Sequence, residues 1–182
     1  MSSLIKSILI VVAFFAATSA EAQRHRRSAT EEMEQAPSAP SVDKRDSVVA
    51  VPGPFSGRPY WLALAQCGGI YFKLNTLYTD AAVHARVVHP DPHANAEYTR
   101  KLHEAISIAT VYFKAAERLL TADRGIDRDN AVLTYDAQSR AAGDRVRTIE
   151  AALAAAQACP ALYQACQANH AKACGEPLPP LS

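Results

Sequence analysis

Residues 60–88 read YWLALAQCGGIYFKLNTLYTDAAVHARVV and predict the central helix of the protein. Apolar side chains recur in it at alternating steps of three and four, as they do along one face of an α-helix: Leu64, Cys67, Tyr71, Leu74, Tyr78, Ala81 and Ala85. The helix is predicted to end by Val88, because Pro90 disfavours a helical conformation at the residue before it. No other segment is as rich in large side chains, so we expect the later helices to pack against this one.

A glycine pair lies inside this predicted helix. Gly68 and Gly69 each cost roughly 1 kcal/mol relative to alanine in a helix interior. Such a cost accompanies a close approach of two helices, a kink or local bending. We interpret the pair as a site of close packing against a neighbouring helix.

The second helix has clear signals at both ends. Asp91 is a suitable N-cap and Pro92 fits the first helical position. An apolar stripe then continues to about Ala122, and Gly125 is placed for a left-handed C-terminal cap. This segment is therefore predicted to be one long helix.

Two more helices are predicted after it. The third begins between residues 127 and 130, is polar through Gly143, and continues to Cys159, where Pro160 ends or kinks it. A short fourth helix covers residues 161–173. No run alternates with a period of two, so no strand is expected. The sequence thus predicts an all-α fold, an up-down helical bundle of three long helices plus a short C-terminal helix.

The N-terminus has the layout of a secretory signal peptide over residues 1–22. Lys6 precedes the apolar run ILIVVAFFAA, and small residues flank a predicted cleavage site before Gln23. The run is shorter than the roughly 20 residues that span a bilayer, so no transmembrane segment is expected after cleavage. We predict a periplasmic or secreted protein.

The mature chain is predicted to have three parts. Residues 23–57 are rich in charge and proline and lack an apolar period, which favours a disordered linker. Residues 58–175 form the helical bundle, and residues 176–182 form a flexible tail.

Four cysteines in an oxidising compartment are expected to form two disulfides, with three possible connectivities. A straight helix would hold Cys159, Cys166 and Cys174 farther apart than the roughly 7 Å that a disulfide spans. An up-down order places Cys174 level with Cys67. We therefore predict that Cys67–Cys174 staples the bundle and that Cys159–Cys166 forms at a bend beside Pro160.

Few chemical functions match the sequence. Lys and Arg total 19 against 18 Asp and Glu, which gives no basic footprint for nucleic acid. No nucleophile, thiol-redox or covalent-haem motif occurs, so we expect neither an enzyme nor a bound cofactor. His89, Asp91 and His93 are weak candidate metal ligands, because they lie close together in one loop but match no established ligand spacing.

These observations favour a non-enzymatic cell-envelope or binding protein. The aromatic residues of the first helix exceed what one stripe can bury, so Trp61 and Phe72 are candidate contacts for an envelope protein partner, although an aromatic core helix is the simpler interpretation. The alternative is a periplasmic protein that binds a small ligand or a metal through the loop from His89 to His93.

Overall fold

A computed structural model describes residues 43–180 of the chain. Five helices are present in this range: α1 (Tyr60–Val87), α2 (Pro92–Arg124), α3 (Arg128–Asp144), α4 (Ile149–Ala156) and α5 (Cys159–Asn169). The same range contains no strand, only an isolated β-bridge between Val48 and Pro59. The prediction of a mostly helical protein is confirmed. The predicted signal peptide and residues 23–42 of the predicted linker lie outside the described range.

Helices α1 and α2 form an antiparallel pair. Tyr71 stacks on Tyr112 with 5.6 Å between ring centroids, and farther along α1 Tyr78 stacks on Tyr98 at 6.3 Å. The connection matches its sequence signals, because the Asp91 carboxylate accepts hydrogen bonds from the first backbone N–H groups of α2. These aromatic pairs place the centre of the core between the two longest helices.

Both ends of this helix pair were predicted correctly. Helix α1 ends at Val87, and α2 begins at Pro92. At the other end of α2, Gly125 has a φ of 66°, the left-handed conformation that glycine adopts without a steric cost.

Helix α3 crosses α1 at the glycine pair. A Cβ atom on Gly69 would overlap the backbone carbonyl of Ser139, and a Cβ on Gly68 would lie 2.5 Å from the Phe113 ring. Only glycine permits this approach, so the predicted close packing is confirmed. The residue that meets Gly69 lies in the part of α3 that the sequence identified only as polar.

The predicted third helix is two helices. It was expected to run without interruption to Cys159, but α3 ends at Asp144 and residues 145–148 are not helical. Thr148 then caps α4, accepting a hydrogen bond from the Ala151 N–H at 3.2 Å. The prediction of three long helices and a short one is therefore wrong, and the up-down order of the whole bundle stays a prediction.

All four cysteines are paired as predicted, but the predicted connectivity is wrong. The bridges are Cys67–Cys159, with Cα atoms 5.8 Å apart, and Cys166–Cys174, with Cα atoms 5.9 Å apart. The break at residues 145–148 removes the premise that Cys159 lies at the far end of a continuous helix. Because α5 already ends at Asn169, the chain also turns back and brings Cys174 to Cys166.

Residues 43–59, here called the N-terminal arm, pack on the helices. Val49 is only 1% exposed, and Asp46 accepts two hydrogen bonds from the Arg124 guanidinium at 2.8 and 2.7 Å. The Ser47 N–H and hydroxyl both donate to the Asp123 carboxylate. The predicted disorder is therefore wrong for residues 43–57, because polar contacts to the end of α2 hold a segment that has no apolar period.

The Asp46–Arg124 ion pair lies beside the only tryptophan. The Arg124 guanidinium sits 5.0 Å from the centre of the Trp61 ring, and the indole N–H approaches the Asp46 carboxylate without completing a hydrogen bond. Burial by itself raises the pKa of Asp46, but the Arg124 hydrogen bonds and the Trp61 N–H outweigh it and hold that pKa below its usual range. The carboxylate is thus charged in the folded protein at neutral pH.

The start of the predicted flexible tail also packs on the bundle. The Tyr163 hydroxyl donates to the backbone carbonyl of Glu176 at 2.7 Å, and Arg118 donates to the Glu176 carboxylate at 2.6 Å. Leu178 lies partly buried against the core. Among residues 43–180, no helix combines the length and hydrophobicity that crossing a membrane requires.

Candidate functional site

A cleft of about 490 Å³ opens between α1 and α3. Helix α1 contributes four residues that share one face at helical spacing: Gly69, Phe72, Lys73 and Thr76. Helix α3 contributes a matching face: Asp136, Ser139, Arg140, Gly143 and Asp144. Phe113 of α2 completes the lining. We call this space the α1/α3 cleft.

Small residues explain why the cleft exists. The two helices touch where Gly69 meets Ser139, and a Cβ on Gly143 would lie 3.0 Å from the Gly69 carbonyl oxygen. Because these positions carry little or no side chain, the backbones approach closely and the larger flanking side chains frame a hollow. The cleft is therefore a consequence of helix packing, formed on rigid elements without any loop.

The floor of the cleft is held in place by aromatic packing. Phe113 stacks on Tyr135 of α3 with 5.5 Å between ring centroids and 13° between ring planes. The same ring lies against Gly68 of α1. The Phe113 ring thus packs against two helices and gives the cleft an apolar part.

The structure separates the two aromatic residues that were predicted to contact a partner. Phe72 is 51% exposed and lines the cleft. Trp61 is only 1% exposed, lies beneath the Arg124 guanidinium and is one of the core residues. The proposal of a partner contact is therefore wrong for Trp61, while Phe72 is available to a ligand.

The cleft carries two charges of each sign. Asp136 and Arg140 form an ion pair at 2.5 Å across one turn of α3. Lys73 and Asp144 also line the cleft, and neither has an ion-pair partner within 4 Å among residues 43–180. The charges of the four groups sum to zero, and one cation and one anion are left unpaired.

The loop from His89 to His93 does not form a ligand set in the described structure. The Asp91 carboxylate is used as the N-cap of α2, and the His89 ring lies 5.2 Å from the ring of His84. Within residues 43–180, no group of three or more His, Cys, Asp or Glu side chains is placed to hold a metal ion. His89, Asp91 and His93 are all exposed.

Sequence reasoning missed the α3 wall of the cleft. It described the first half of the predicted third helix, the part that forms α3, only as polar. One signal was available, because Ser139 and Gly143 stand four apart and so place two small residues on one helix face. Two small residues on one face allow another helix to pack closely there, but the spacing does not identify which helix that is.

Comparisons of the chain with protein-family models, with curated proteins and with solved structures find no match. The functional argument therefore rests on the α1/α3 cleft and its residues.

Proposed function

We propose that this chain is an exported, non-enzymatic binding protein and that the α1/α3 cleft is its ligand site. The observation that carries the proposal is the half-exposed Phe72 ring at a preformed hollow of about 490 Å³. Pockets for small molecules generally have volumes of about 300–1,000 Å³ and combine apolar walls with a few polar groups. The cleft has a volume in that range, and its lining combines two phenylalanine rings with charged and hydroxyl side chains.

Its polar groups suit binding better than catalysis. Ser139 supplies a hydroxyl, but its Oγ donates to the Asp136 backbone carbonyl at 2.8 Å, within its own helix. A serine nucleophile must donate its hydroxyl proton to an adjacent general base, whereas the Ser139 hydroxyl donates to a backbone carbonyl, which is not a base. The Ser139 hydroxyl is therefore already hydrogen-bonded within its own helix.

Export is supported by the cysteine pairing together with the N-terminal sequence. Two disulfides join Cys67 to Cys159 and Cys166 to Cys174, and such bonds persist in oxidising compartments. The Cys67–Cys159 bridge attaches α1 to α5 two residues before Gly69. It therefore restrains α1 at the cleft, which favours a preorganised site.

The test uses two matched threonines of α1. Thr76 and Thr79 are both exposed, and each hydroxyl donates to the carbonyl four residues earlier, but only Thr76 lines the cleft. A Thr76→Trp substitution should fill the cleft without disturbing the core, and Thr79→Trp is its control. Aromatic fragments titrated into the ¹⁵N-labelled protein should shift the amide signals of Gly69 and Gly143.

We expect these shifts to disappear in Thr76→Trp and to persist in Thr79→Trp. Shifts that survive equally in both variants would place the ligand elsewhere and contradict the proposal. The rival function is tested by titrating zinc and copper into the same protein. Tight metal binding that is lost in a His89→Ala, His93→Ala variant, without any fragment binding at the cleft, would show that the ligand site is the loop from His89 to His93 and not the cleft.

A further inference from the structure

The unpaired charges of the α1/α3 cleft indicate which ligands it accepts, an inference that rests on the proposed function. Lys73 lies on the α1 wall and Asp144 on the α3 wall. Lys73 packs beside Gly143, since a Cβ on that glycine would lie 3.4 Å from the Lys73 Cβ, and Asp144 is the residue after Gly143. The opening therefore presents one ammonium and one carboxylate.

The balance of charge restricts the ligand. An anion would be attracted by Lys73 but repelled by Asp144, and a cation would be attracted by Asp144 but repelled by Lys73. Asp136 and Arg140 neutralise each other and favour neither sign. A ligand that carries both an ammonium and a carboxylate can pair with each unpaired group at once.

The apolar part of the cleft restricts it further. Phe72 and Phe113 both line the cleft, and aromatic rings pair favourably with a further ring in stacked or edge-to-face geometry. We propose that the α1/α3 cleft binds a small zwitterion with an aromatic side chain, of the class of aromatic α-amino acids and short aromatic peptides with free ends.

A partner helix is a less suitable occupant. A helix that docks in a groove contributes an apolar stripe and needs an apolar groove along its length. Here four charged side chains line the space beside two phenylalanine rings. Burying unpaired Lys73 and Asp144 under such a stripe would remove their solvation without replacing it.

The experiment removes one charge at a time from ligand and protein. The probe is the dipeptide Phe-Phe, compared with its N-acetyl form, its C-terminal amide and the doubly blocked form. Each is titrated into the ¹⁵N-labelled protein and into the variants Lys73→Met and Asp144→Asn. Lys172→Met and Asp80→Asn are matched controls, because both residues are exposed and neither lines the cleft.

In the unsubstituted protein, each blocking group should weaken binding about fivefold, the effect of one exposed ion pair. Amidation should have no effect in Lys73→Met, and acetylation should have no effect in Asp144→Asn, whereas both control variants should respond like the unsubstituted protein. Equal affinity for all four probes, or no binding of the free dipeptide, would overturn the inference. Aromatic fragments that still bind in a Thr76-dependent way would leave the proposed function intact.

Discussion

Removing each disulfide as a pair tests the observed connectivity by its effect on stability. One variant carries Cys67→Ala with Cys159→Ala, and the other carries Cys166→Ala with Cys174→Ala. All four side chains are completely buried, so the two variants lose similar packing. They differ in the loop that is released, because the bridges join residues separated by 92 and by 8 positions.

The loop lengths set the expected magnitudes. In the chain-entropy description, a bridge restricts the unfolded chain and its stabilisation grows with the logarithm of loop length. Loss of the long-range bridge should lower the free energy of unfolding by about 4.6 kcal/mol, and loss of the short-range bridge by about 2.5 kcal/mol. The variant without Cys67–Cys159 should therefore be about 2 kcal/mol less stable than the other.

Urea unfolding followed by circular dichroism measures both free energies. The single variants Cys67→Ala and Cys159→Ala should each lose most of what the double variant loses, because either substitution removes the same bridge. Mass spectrometry of the double variants serves as the control that the remaining bridge is intact.

Two results would refute the reasoning. Equal stabilities of the two double variants would show that loop length does not govern the effect. A peptide joining Cys67 to Cys174 after non-reducing digestion would show that the connectivity itself is wrong.

Four further changes test the packing of the helices and the arm. Gly69→Ala should lower the free energy of unfolding by about 1–3 kcal/mol, and by more than Gly68→Ala, because its Cβ meets a backbone carbonyl whereas the neighbouring Cβ meets a side-chain ring, which yields more readily than backbone. The reverse order in thermal unfolding would contradict the close contact. Asp46→Asn should cost about 2 kcal/mol at pH 7. Because the folded-state pKa of Asp46 is lowered, the stability that its carboxylate contributes is complete above the unfolded pKa of about 3.9 and is lost as the pH falls through the folded value. In urea titrations at decreasing pH, the variant should therefore lose less stability than the unsubstituted protein. Tyr112→Phe should raise stability by about 1 kcal/mol, since the hydroxyl is buried and has no hydrogen-bond partner among the described residues, and a lower stability would reveal a partner. A chain that begins at Arg58 should melt at least about 5 °C below one that begins at residue 43, and equal melting temperatures would mean that the arm contributes nothing.

The sequence predicted those features that depend on neighbouring residues. The end of α1 follows from the proline at position 90, and the bounds of α2 follow from an N-cap at Asp91, a proline at position 92 and a left-handed glycine at position 125. Each of these groups acts on backbone atoms within one helical turn. The glycine pair likewise predicted a close contact, because a missing Cβ has the same meaning in any helix.

The candidate site was only half visible in the sequence. Phe72 was recognised as a surplus aromatic residue outside the core stripe. Trp61 has the same chemical character but is buried, with the Arg124 guanidinium over its ring and Asp46 hydrogen-bonded to Arg124. Their separation of 78 residues is beyond the reach of any local pattern.

Local sequence patterns were enough to predict that the chain is helical, where its two longest helices begin and end, and that its cysteines pair. Which cysteines pair, where the third predicted helix breaks and which faces frame the cleft emerged from the packing of distant segments. The two groups of features differ in the range of the interactions behind them. Capping and periodicity act through contacts within a turn, whereas a disulfide or a cleft depends on where separate helices meet, and Gly69 and Ser139 meet across 70 residues of chain.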